Sequence, residues 1–359
     1  MLKRVSIQNF KSLKDVTLDL QKVNLLIGPN NSGKTNFLKA LEYLKLNYNQ
    51  FPKRSDANLV FNRIGNTSTF LINDDSEDSV SLIKTYDFFS EESYYTIRNS
   101  GVEFSGDGRV PFIPGQRELE HSLFSLKIYK PDPNKLTNPG IVGAGEETVS
   151  ADASNLVGFL DLMLGKYRRS VFNRTEADLH TCIPEFDEIN LEDAPPTEEL
   201  KKQFGDKSFK RIGLTNSKQG ITYWADELSE GTLYFLALLC IINQPNPPKL
   251  LLLEEPEKGI HPRRIFEVIQ FIFRLAEEKD IQVIMTTHSP VVLDMFADMP
   301  ESVFIFDKDD EGATHVKNLQ RDVIELDTEK SKELNMEPPR YTDALGDSWT
   351  IGFLGGVPK

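Results

Sequence analysis

The stretch Gly28-Pro29-Asn30-Asn31-Ser32-Gly33-Lys34-Thr35 decides how the rest of this sequence is interpreted. The apolar run 23–27 precedes it, and residues 35–46 follow it with apolar side chains at the spacing of one helix face. Glycines let the backbone wrap closely, so that N–H groups point at an anion, and Lys34 adds a positive charge. The Thr35 hydroxyl suits Mg²⁺. The stretch therefore predicts a strand, a phosphate-binding loop and a helix.

A second motif pairs a buried strand with two acids. Residues 250–253 are four leucines, typical of a strand buried on both faces of a parallel sheet, and Glu254 and Glu255 follow. Ligands of such sheets bind at the carboxyl ends of the strands. One acid can hold Mg²⁺, and the next can orient and deprotonate an attacking water. If the sequence had no glycine-rich loop, a solvated acidic turn would be an alternative explanation of Glu254 and Glu255.

Two further motifs are weak when taken alone. Ser229, Glu230 and Gly231 precede an apolar helical run, where Ser229 suits a helix N-cap and the helix N-terminus suits a phosphate from another subunit. His288 follows the strand predicted over residues 282–286 and is either structural or a γ-phosphate sensor. Their order along the chain, with the loop first and the acid pair between them, is much more specific than any single motif.

With the four motifs in this order, the chain resembles the ABC-type ATPase heads of the SMC and RecF group. It is most similar to prokaryotic single-chain ATPases grouped with the overcoming-lysogenization-defect (OLD) proteins and with antiphage systems. The resemblance covers residues 1–46 and 220–295 and rests on "LSEGT", "LLLLEEPE" and "TTHSP". It implies an α/β P-loop NTPase fold, with a mixed sheet like that of an ABC ATPase head and inserted β and helical lobes.

The resemblance also assigns roles to residues. ATP would lie on Gly28, Pro29, Asn30, Asn31, Ser32, Gly33, Lys34, Thr35, Asn36 and, from the segment 9–12, Lys11. Thr35 and Glu254 would bind Mg²⁺, Glu255 would be the catalytic base and His288 the γ-phosphate sensor. Ser229, Glu230 and Gly231 would contact ATP of the opposite protomer. ATP would therefore link a homodimer or a higher homo-oligomer.

Three departures from the family pattern stand out. The metal position is commonly Asp, whereas here it is Glu254. The usual Asp-containing dimer loop is replaced by residues 258–262, where His261 is either an interface or a loop residue. Gln116 is one candidate for the Q-loop glutamine, and a purely structural role for it is equally open.

Composition restricts the classes of protein that fit. The chain has 359 residues, of which 39% are apolar, and two cysteines, Cys182 and Cys240, without metal-like spacing. No signal peptide is evident, and the longest apolar stretch, residues 233–242, is too short for a membrane span, so we expect a cytoplasmic protein without a membrane partner. The net charge of −14 does not favour nucleic acid. Two basic groups, residues 166–174 and 201–211, are either solvated faces or local nucleic-acid sites.

The order of motifs predicts a core divided by other material. Residues 1–48 and 216–359 would form the ATPase core, and residues 49–215 would form an inserted lobe, with antiparallel strands first and then a helix over residues 154–172. Residues 131–147 are rich in Pro, Asn and Gly and predict a loop. No heptad pattern supports a long coiled coil.

Three functions remain open on this basis. One is an ATPase that controls a separately encoded effector in prokaryotic antiphage defence, because residues 303–310 lack a full Toprim set that would make the chain a nuclease. The second is a RecF-like, ATP-dependent DNA clamp. The third is a scaffold locked by ATP with negligible turnover, against which Glu255 argues, since a pure lock needs no base.

Overall fold

The structure, a computed structural model, describes residues 1–46, 67–74, 81–87, 92–99, 102–107, 126–143, 146–205, 207–258 and 260–357. Contacts divide the chain into two compact units. Unit 1 contains Met1–Ile128, Lys249–Glu255 and Ile272–Lys359, and unit 2 contains Tyr129–Pro248 and Pro256–Phe271. These boundaries differ from the predicted segment boundaries 48/49 and 215/216, which stay a prediction. Gln116 lies outside the described residues.

A mixed sheet forms the base of unit 1. It has the strand order β16-β15-β3-β14-β13-β8, in which β3, β14 and β13 are parallel neighbours and β15 is parallel to β3. The strands are β3 Val23–Ile27, β8 Lys127–Tyr129, β13 Leu250–Glu254, β14 Gln282–Thr286, β15 Val303–Lys308 and β16 Thr314–Asn318. Because Leu26, Thr286 and Glu254 are register partners in turn, the carboxyl ends of β3, β14 and β13 lie at one edge.

A second, antiparallel sheet of unit 1 has the order β2-β1-β4-β5-β6-β7. Its strands are β1 Leu2–Phe10, β2 Leu13–Asp19, β4 Thr67–Asp74, β5 Ser81–Asp87, β6 Glu92–Asn99 and β7 Val102–Asp107. Since β4 pairs with β1, the strands predicted as an inserted lobe continue the N-terminal hairpin. Helix α1, Lys34–Leu46, contributes Phe37, Leu41 and Leu44 to a core shared by both sheets.

Unit 2 combines helices with a third sheet. The sheet has the order β10-β11-β12, with β9 also on β11. Its strands are β9 Gly140–Ile141, β10 Glu188–Asp193, β11 Phe209–Asn216 and β12 Ile221–Trp224. The helices are α2 Pro133–Leu136, α3 Leu156–Gly165, α4 Ser170–Cys182, α5 Glu198–Phe204 and α6 Glu230–Asn243, and α7 Pro262–Glu278 begins here.

Short helices follow in the C-terminal part of unit 1. They are α8 Pro290–Asp294, α9 Leu326–Glu333 and α10 Leu345–Thr350, and a π-helical turn, Gln320–Glu325, leads into α9. Trp349 and Leu354 are buried, so this segment closes part of the core. Among the described residues, no helix combines the length and the apolar character that a membrane crossing demands.

Two predicted elements were wrong. The single helix over residues 154–172 is broken, because Tyr167, Arg168 and Arg169 all have positive φ angles between α3 and α4. Lys166 and Tyr167 both donate hydrogen bonds to the Glu147 carboxylate at this point. The loop predicted over residues 131–147 contains α2, whose first turn is capped by the Asp132 carboxylate accepting from the Asn134 N–H at 3.1 Å.

Candidate functional site

The glycine-rich loop leaves the end of β3 and wraps back on itself before α1. Gly28, Asn31 and Gly33 have φ angles of 141°, 65° and 111°. The Lys34 ammonium, on a side chain that is almost fully buried, donates to the carbonyl oxygens of Gly28 (2.7 Å) and Pro29 (3.0 Å). The loop therefore has the strongly curved backbone that a ring of inward N–H groups requires.

The loop packs closely against neighbouring residues and carries a buried hydroxyl that has no hydrogen-bond partner in the described part of the chain. A Cβ on Gly28 would lie 2.2 Å from the Phe306 carbonyl oxygen, and a Cβ on Gly33 would lie 2.2 Å from Thr314 Oγ1, so only glycine fits at either position. Ser32 Oγ is buried and has no hydrogen-bond partner among the described residues. Since an unpaired buried hydroxyl is unfavourable, a phosphate oxygen that accepts from it would satisfy it. The residues present thus fit a polyanion.

A hydroxyl and a carboxylate meet beside the loop. Thr35 Oγ1, in the first turn of α1, donates to Glu254 Oε1, at the end of β13, at 2.8 Å. Oxygen ligands of these two kinds suit Mg²⁺, which usually takes one or two protein ligands together with phosphate oxygens and waters. Consistently, the described residues contain no cluster of three or more His, Cys, Asp or Glu side chains able to hold a metal by themselves.

Glu255 and His288 face each other at the same edge of the sheet. His288 Nε2 lies 3.6 Å from Glu255 Oε1, and the two side chains are 33% and 23% exposed, so water reaches both. Glu255 has a φ of 49°, a strained conformation for a residue with a side chain. Its N–H is held by the Thr286 carbonyl at 3.1 Å and by Thr286 Oγ1 at 3.2 Å. These hydrogen bonds hold the backbone from which the Glu255 side chain projects.

Ser229, Glu230 and Gly231 lie in unit 2. The Ser229 hydroxyl accepts from the Thr232 N–H at 3.1 Å, so it is the N-cap of α6, as the simpler interpretation predicted. The three residues also line a cavity of about 430 Å³ together with Ile260, His261 and Arg264. His261 Nδ1 accepts from the Arg263 N–H at 3.3 Å. A cap role leaves the cavity side of this helix end accessible, so the predicted contact with a second chain's nucleotide stays a prediction.

Lys11 and Asn36 lie beside the loop in different surroundings. Lys11 has a φ of 52°, and its ammonium lies 5.7 Å from the centroid of the Phe10 ring. Burial, and to a lesser degree the charge of Lys39, lowers the pKa of Lys11. The Asn36 amide donates to Ser12 Oγ at 2.9 Å. Asn36 is thus engaged with the β1–β2 turn, and contact of either residue with nucleotide stays a prediction.

Three residues near these groups were not identified from the sequence. Thr286 holds the Glu255 backbone, Thr314 contacts the glycine-rich loop, and Arg264 borders the cavity at Gly231. Thr286 ends a predicted strand next to the acid pair, a position that could have indicated it. Thr314 and Arg264 carry no motif, and only the fold brings them to these places.

Four of the nine basic residues in the segments 166–174 and 201–211 are engaged with other groups through ion pairs or hydrogen bonds. Lys166 pairs with Glu147, Lys210 with Asp161 (2.6 Å) and Arg211 with Glu192 (2.6 Å). Arg174 donates to the side-chain and backbone oxygens of Asn243, both at 2.8 Å. These contacts favour solvated or structural roles.

Comparison with known proteins places these features in a family. A family profile described as "AAA domain, putative AbiEii toxin, Type IV TA system" matches residues 23–294. The energy-coupling factor transporter ATP-binding protein EcfA2 of Clostridium perfringens is 26% identical over 145 residues, which are 40% of this chain and 46% of that protein. The OLD nuclease of Thermus scotoductus is 21% identical over a 329-residue alignment covering 82% of this chain and 60% of that protein.

A solved structure shares the fold. The Smc head domain with an extended coiled coil, bound to the C-terminal domain of ScpA and derived from Pyrococcus furiosus, superposes with a TM-score of 0.54 at 13% identity. The match covers 93% of this chain and 99% of that one. At this identity the match shows the fold alone, and it confirms the predicted α/β P-loop architecture of the ABC ATPase head type. The chain spans about half the length of the curated relatives it matches.

Proposed function

Because the chain belongs to this AAA domain family, and is an ATPase of the ABC, SMC and OLD type, we propose that it binds and hydrolyses ATP with Mg²⁺ at composite sites in a head-to-head dimer. One observation carries the proposal. The Thr35–Glu254 contact of 2.8 Å and the Glu255–His288 approach of 3.6 Å lie at the same edge of one sheet. This arrangement supports metal binding by Thr35 and Glu254, and roles as base and sensor for Glu255 and His288, beside the glycine-rich loop.

The loop would hold the triphosphate. Its N–H groups and Ser32 Oγ would donate to phosphate oxygens, and the Lys34 ammonium would exchange its carbonyl partners for β and γ phosphate oxygens. Thr35 and Glu254 would hold Mg²⁺, which would supply positive charge to the phosphates. The loop residues, Thr35 and Glu254 would thus position the γ-phosphate, and positioning is the main part of phosphoryl-transfer catalysis.

Hydrolysis would need a base and a γ-phosphate contact. The oxygen of a water forms a bond to the γ-phosphorus while the bond from that phosphorus to the bridging oxygen breaks, and ADP leaves with the bond's electron pair. The Glu255 carboxylate accepts the proton that the attacking water loses. The imidazole of His288 contacts the transferred phosphoryl group, and its distance of 3.6 Å to Glu255 leaves both groups near the same reacting water.

The test replaces the Glu255 carboxylate by an uncharged amide of nearly the same shape. Glu255→Gln keeps two polar atoms but cannot take the proton, so turnover should fall by at least about 100-fold while ATP binding persists. Glu192→Gln makes the same chemical change at an exposed carboxylate that pairs with Arg211, and should keep wild-type turnover. Wild-type protein that binds no ATP would end the proposal. Normal turnover by Glu255→Gln would remove Glu255 as the base.

We further propose that the ATP-bound dimer controls a separately encoded effector in the cytoplasm of a prokaryote, as part of antiphage defence. The family description, which names a "putative AbiEii toxin, Type IV TA system", and the similarity to an OLD nuclease support the link to an effector. ATP-trapped Glu255→Gln protein should capture the product of a neighbouring gene more strongly than Lys34→Ala protein does. Equal capture by both would mean that nucleotide does not gate the effector.

A further inference from the structure

The hairpin formed by β15 and β16 is the floor of the glycine-rich loop. Its Phe306 carbonyl oxygen lies against Gly28, and its Thr314 side chain lies against Gly33, each at a distance that excludes a Cβ. The sequence of this hairpin carries no nucleotide-binding motif, and its acid-rich end lacks a full Toprim set. All of these contacts lie within unit 1.

A chain of hydrogen bonds leads from α1 to the loop through Thr314. Thr314 Oγ1 lies 2.8 Å from the Ser32 carbonyl oxygen and 2.8 Å from Ser12 Oγ. The Asn36 amide donates to Ser12 Oγ at 2.9 Å. A carbonyl only accepts, so the Thr314 hydroxyl donates in its bond to Ser32, and the Asn36 NH₂ donates to Ser12. The hydroxyls of Thr314 and Ser12 also lie within hydrogen-bond distance of each other.

The backbone reinforces this chain. The Thr314 N–H donates to the Ser12 carbonyl at 2.7 Å, and Thr314 is buried at 1% exposure. Ser12 lies in the turn between β1 and β2, so three segments that are far apart in sequence meet at one buried hydroxyl. Hydrogen bonds in such a water-free place are costly to leave unmade.

We infer that Thr314 is a positioning residue that fixes the Ser32–Gly33 peptide for phosphate binding. The Ser32 carbonyl and the Gly33 N–H belong to one planar trans peptide and point in opposite directions. Holding the carbonyl on Thr314 therefore turns the Gly33 N–H away from the hairpin floor. Gly33 could otherwise rotate easily, because glycine has many accessible conformations. The affinity for ATP then depends on a residue that does not touch ATP, since preorganisation lowers the cost of binding.

This inference rests on the proposed function, and two measurements separate them. The first needs no nucleotide: hydrogen exchange of the loop amides in the full-length protein. Thr314→Val removes the hydroxyl at nearly constant volume and should accelerate exchange at residues 32–34 about tenfold. Thr175→Val removes another buried hydroxyl, which donates to the Val171 carbonyl in unit 2, and should leave these amides unchanged.

The second measurement is ATP affinity and turnover. Thr314→Val should raise Kd and KM for ATP about tenfold with kcat changed less than twofold, because the hydroxyl orients the loop and takes no part in the chemistry. Thr314→Ser keeps the donor and should restore wild-type values. Ser12→Ala leaves the Thr314–Ser32 bond in place and should have a smaller effect than Thr314→Val.

The outcomes are distinct. Unchanged loop exchange in a folded Thr314→Val protein overturns the inference, whatever its ATP affinity. Accelerated exchange in Thr314→Val, combined with no ATP binding by wild type, would retain the positioning role and reject the proposed function. A fall in kcat equal to the rise in KM would show that Thr314 acts in catalysis instead.

Discussion

At the scale of single residues, a substitution at Gly33 tests how closely the glycine-rich loop packs against the β15–β16 hairpin. Gly33→Ala adds a Cβ 2.2 Å from Thr314 Oγ1 at a φ of 111°, so both sterics and backbone strain oppose it. We expect a loss of about 2–3 kcal/mol in the free energy of unfolding and loss of ATP binding. Urea unfolding and the ATP-induced shift in Tm measure the two effects.

Gly312→Ala is the matched control for this substitution. Gly312 has a φ of 81° in the turn of the same hairpin, but a Cβ there would meet no atom within 4 Å. Gly312→Ala should therefore lower the free energy of unfolding only through backbone strain, by about 1 kcal/mol, and should retain ATP binding. If both variants behave alike, the contact with Thr314 contributes nothing.

A substitution at Glu254 tests whether this carboxylate binds Mg²⁺. Glu254→Asp shortens the side chain by one CH₂, which withdraws its carboxylate from Thr35 Oγ1, now 2.8 Å away. We expect the Mg²⁺ concentration for half-maximal turnover to rise roughly tenfold, with little change in stability. Glu192→Asp in unit 2 should leave it unchanged. An unaltered Mg²⁺ requirement in Glu254→Asp would place the metal elsewhere.

At the scale of elements, the sequence predicted the bounds of buried strands more accurately than those of irregular segments. β3 and β14 have the bounds that the sequence predicted, because apolar runs buried on both faces determine them locally. The break between α3 and α4 lies at Tyr167, Arg168 and Arg169, which have positive φ angles although none of them is a glycine that could have marked the break. Thr314 was missed because its partner Ser32 is 282 residues away.

The β5 strand carries a pH-dependent contribution to stability. Lys84 is fully buried near the rings of Tyr86 and Tyr95, and burial lowers its pKa from 10.5 to about 8. Between these pH values the unfolded chain binds more protons than the folded one, so stability should rise with pH. Lys84→Met removes this group.

Unfolding at pH 7.5 and pH 10 measures this effect. The difference in unfolding free energy between wild type and Lys84→Met should move in favour of wild type at the higher pH. Lys14→Met, at an exposed lysine that pairs with Glu311, is the matched control. A difference that is constant for Lys84→Met would mean that Lys84 keeps its ordinary pKa in the folded protein.

At the scale of the whole molecule, the sequence predicted the class of the protein and the four residues that meet at the sheet edge, Thr35, Glu254, Glu255 and His288. Their convergence follows from parallel strands whose carboxyl ends share one edge, which sequence order alone makes foreseeable. The proposed contribution of Ser229 and Gly231 to an ATP site differs from that of these four residues, since it needs a second chain. A test of that contribution has to use the assembly and cannot rely on one protomer.

Mixing two inactive variants provides this test. In a head-to-head dimer each site combines the loop of one protomer with Ser229 and Gly231 of the other. Lys34→Ala destroys the loop half, and Ser229→Arg blocks the other half with a large side chain. Each variant alone should be inactive, whereas a mixed dimer contains one intact site. Random mixing gives half mixed dimers, so we expect about a quarter of wild-type turnover if sites act independently.

Light scattering shows whether mixed dimers form with ATP and Mg²⁺. The control mixes Lys34→Ala with Glu255→Gln, which damage the same half, so no dimer of these two contains an intact site. If the Ser229→Arg mixture stays inactive although dimers form, both halves of the site belong to one chain. If Ser229→Arg alone turns over ATP normally, the Ser229 end of α6 is a helix cap only, and the hydroxyl that accepts from Thr232 at 3.1 Å has no further role.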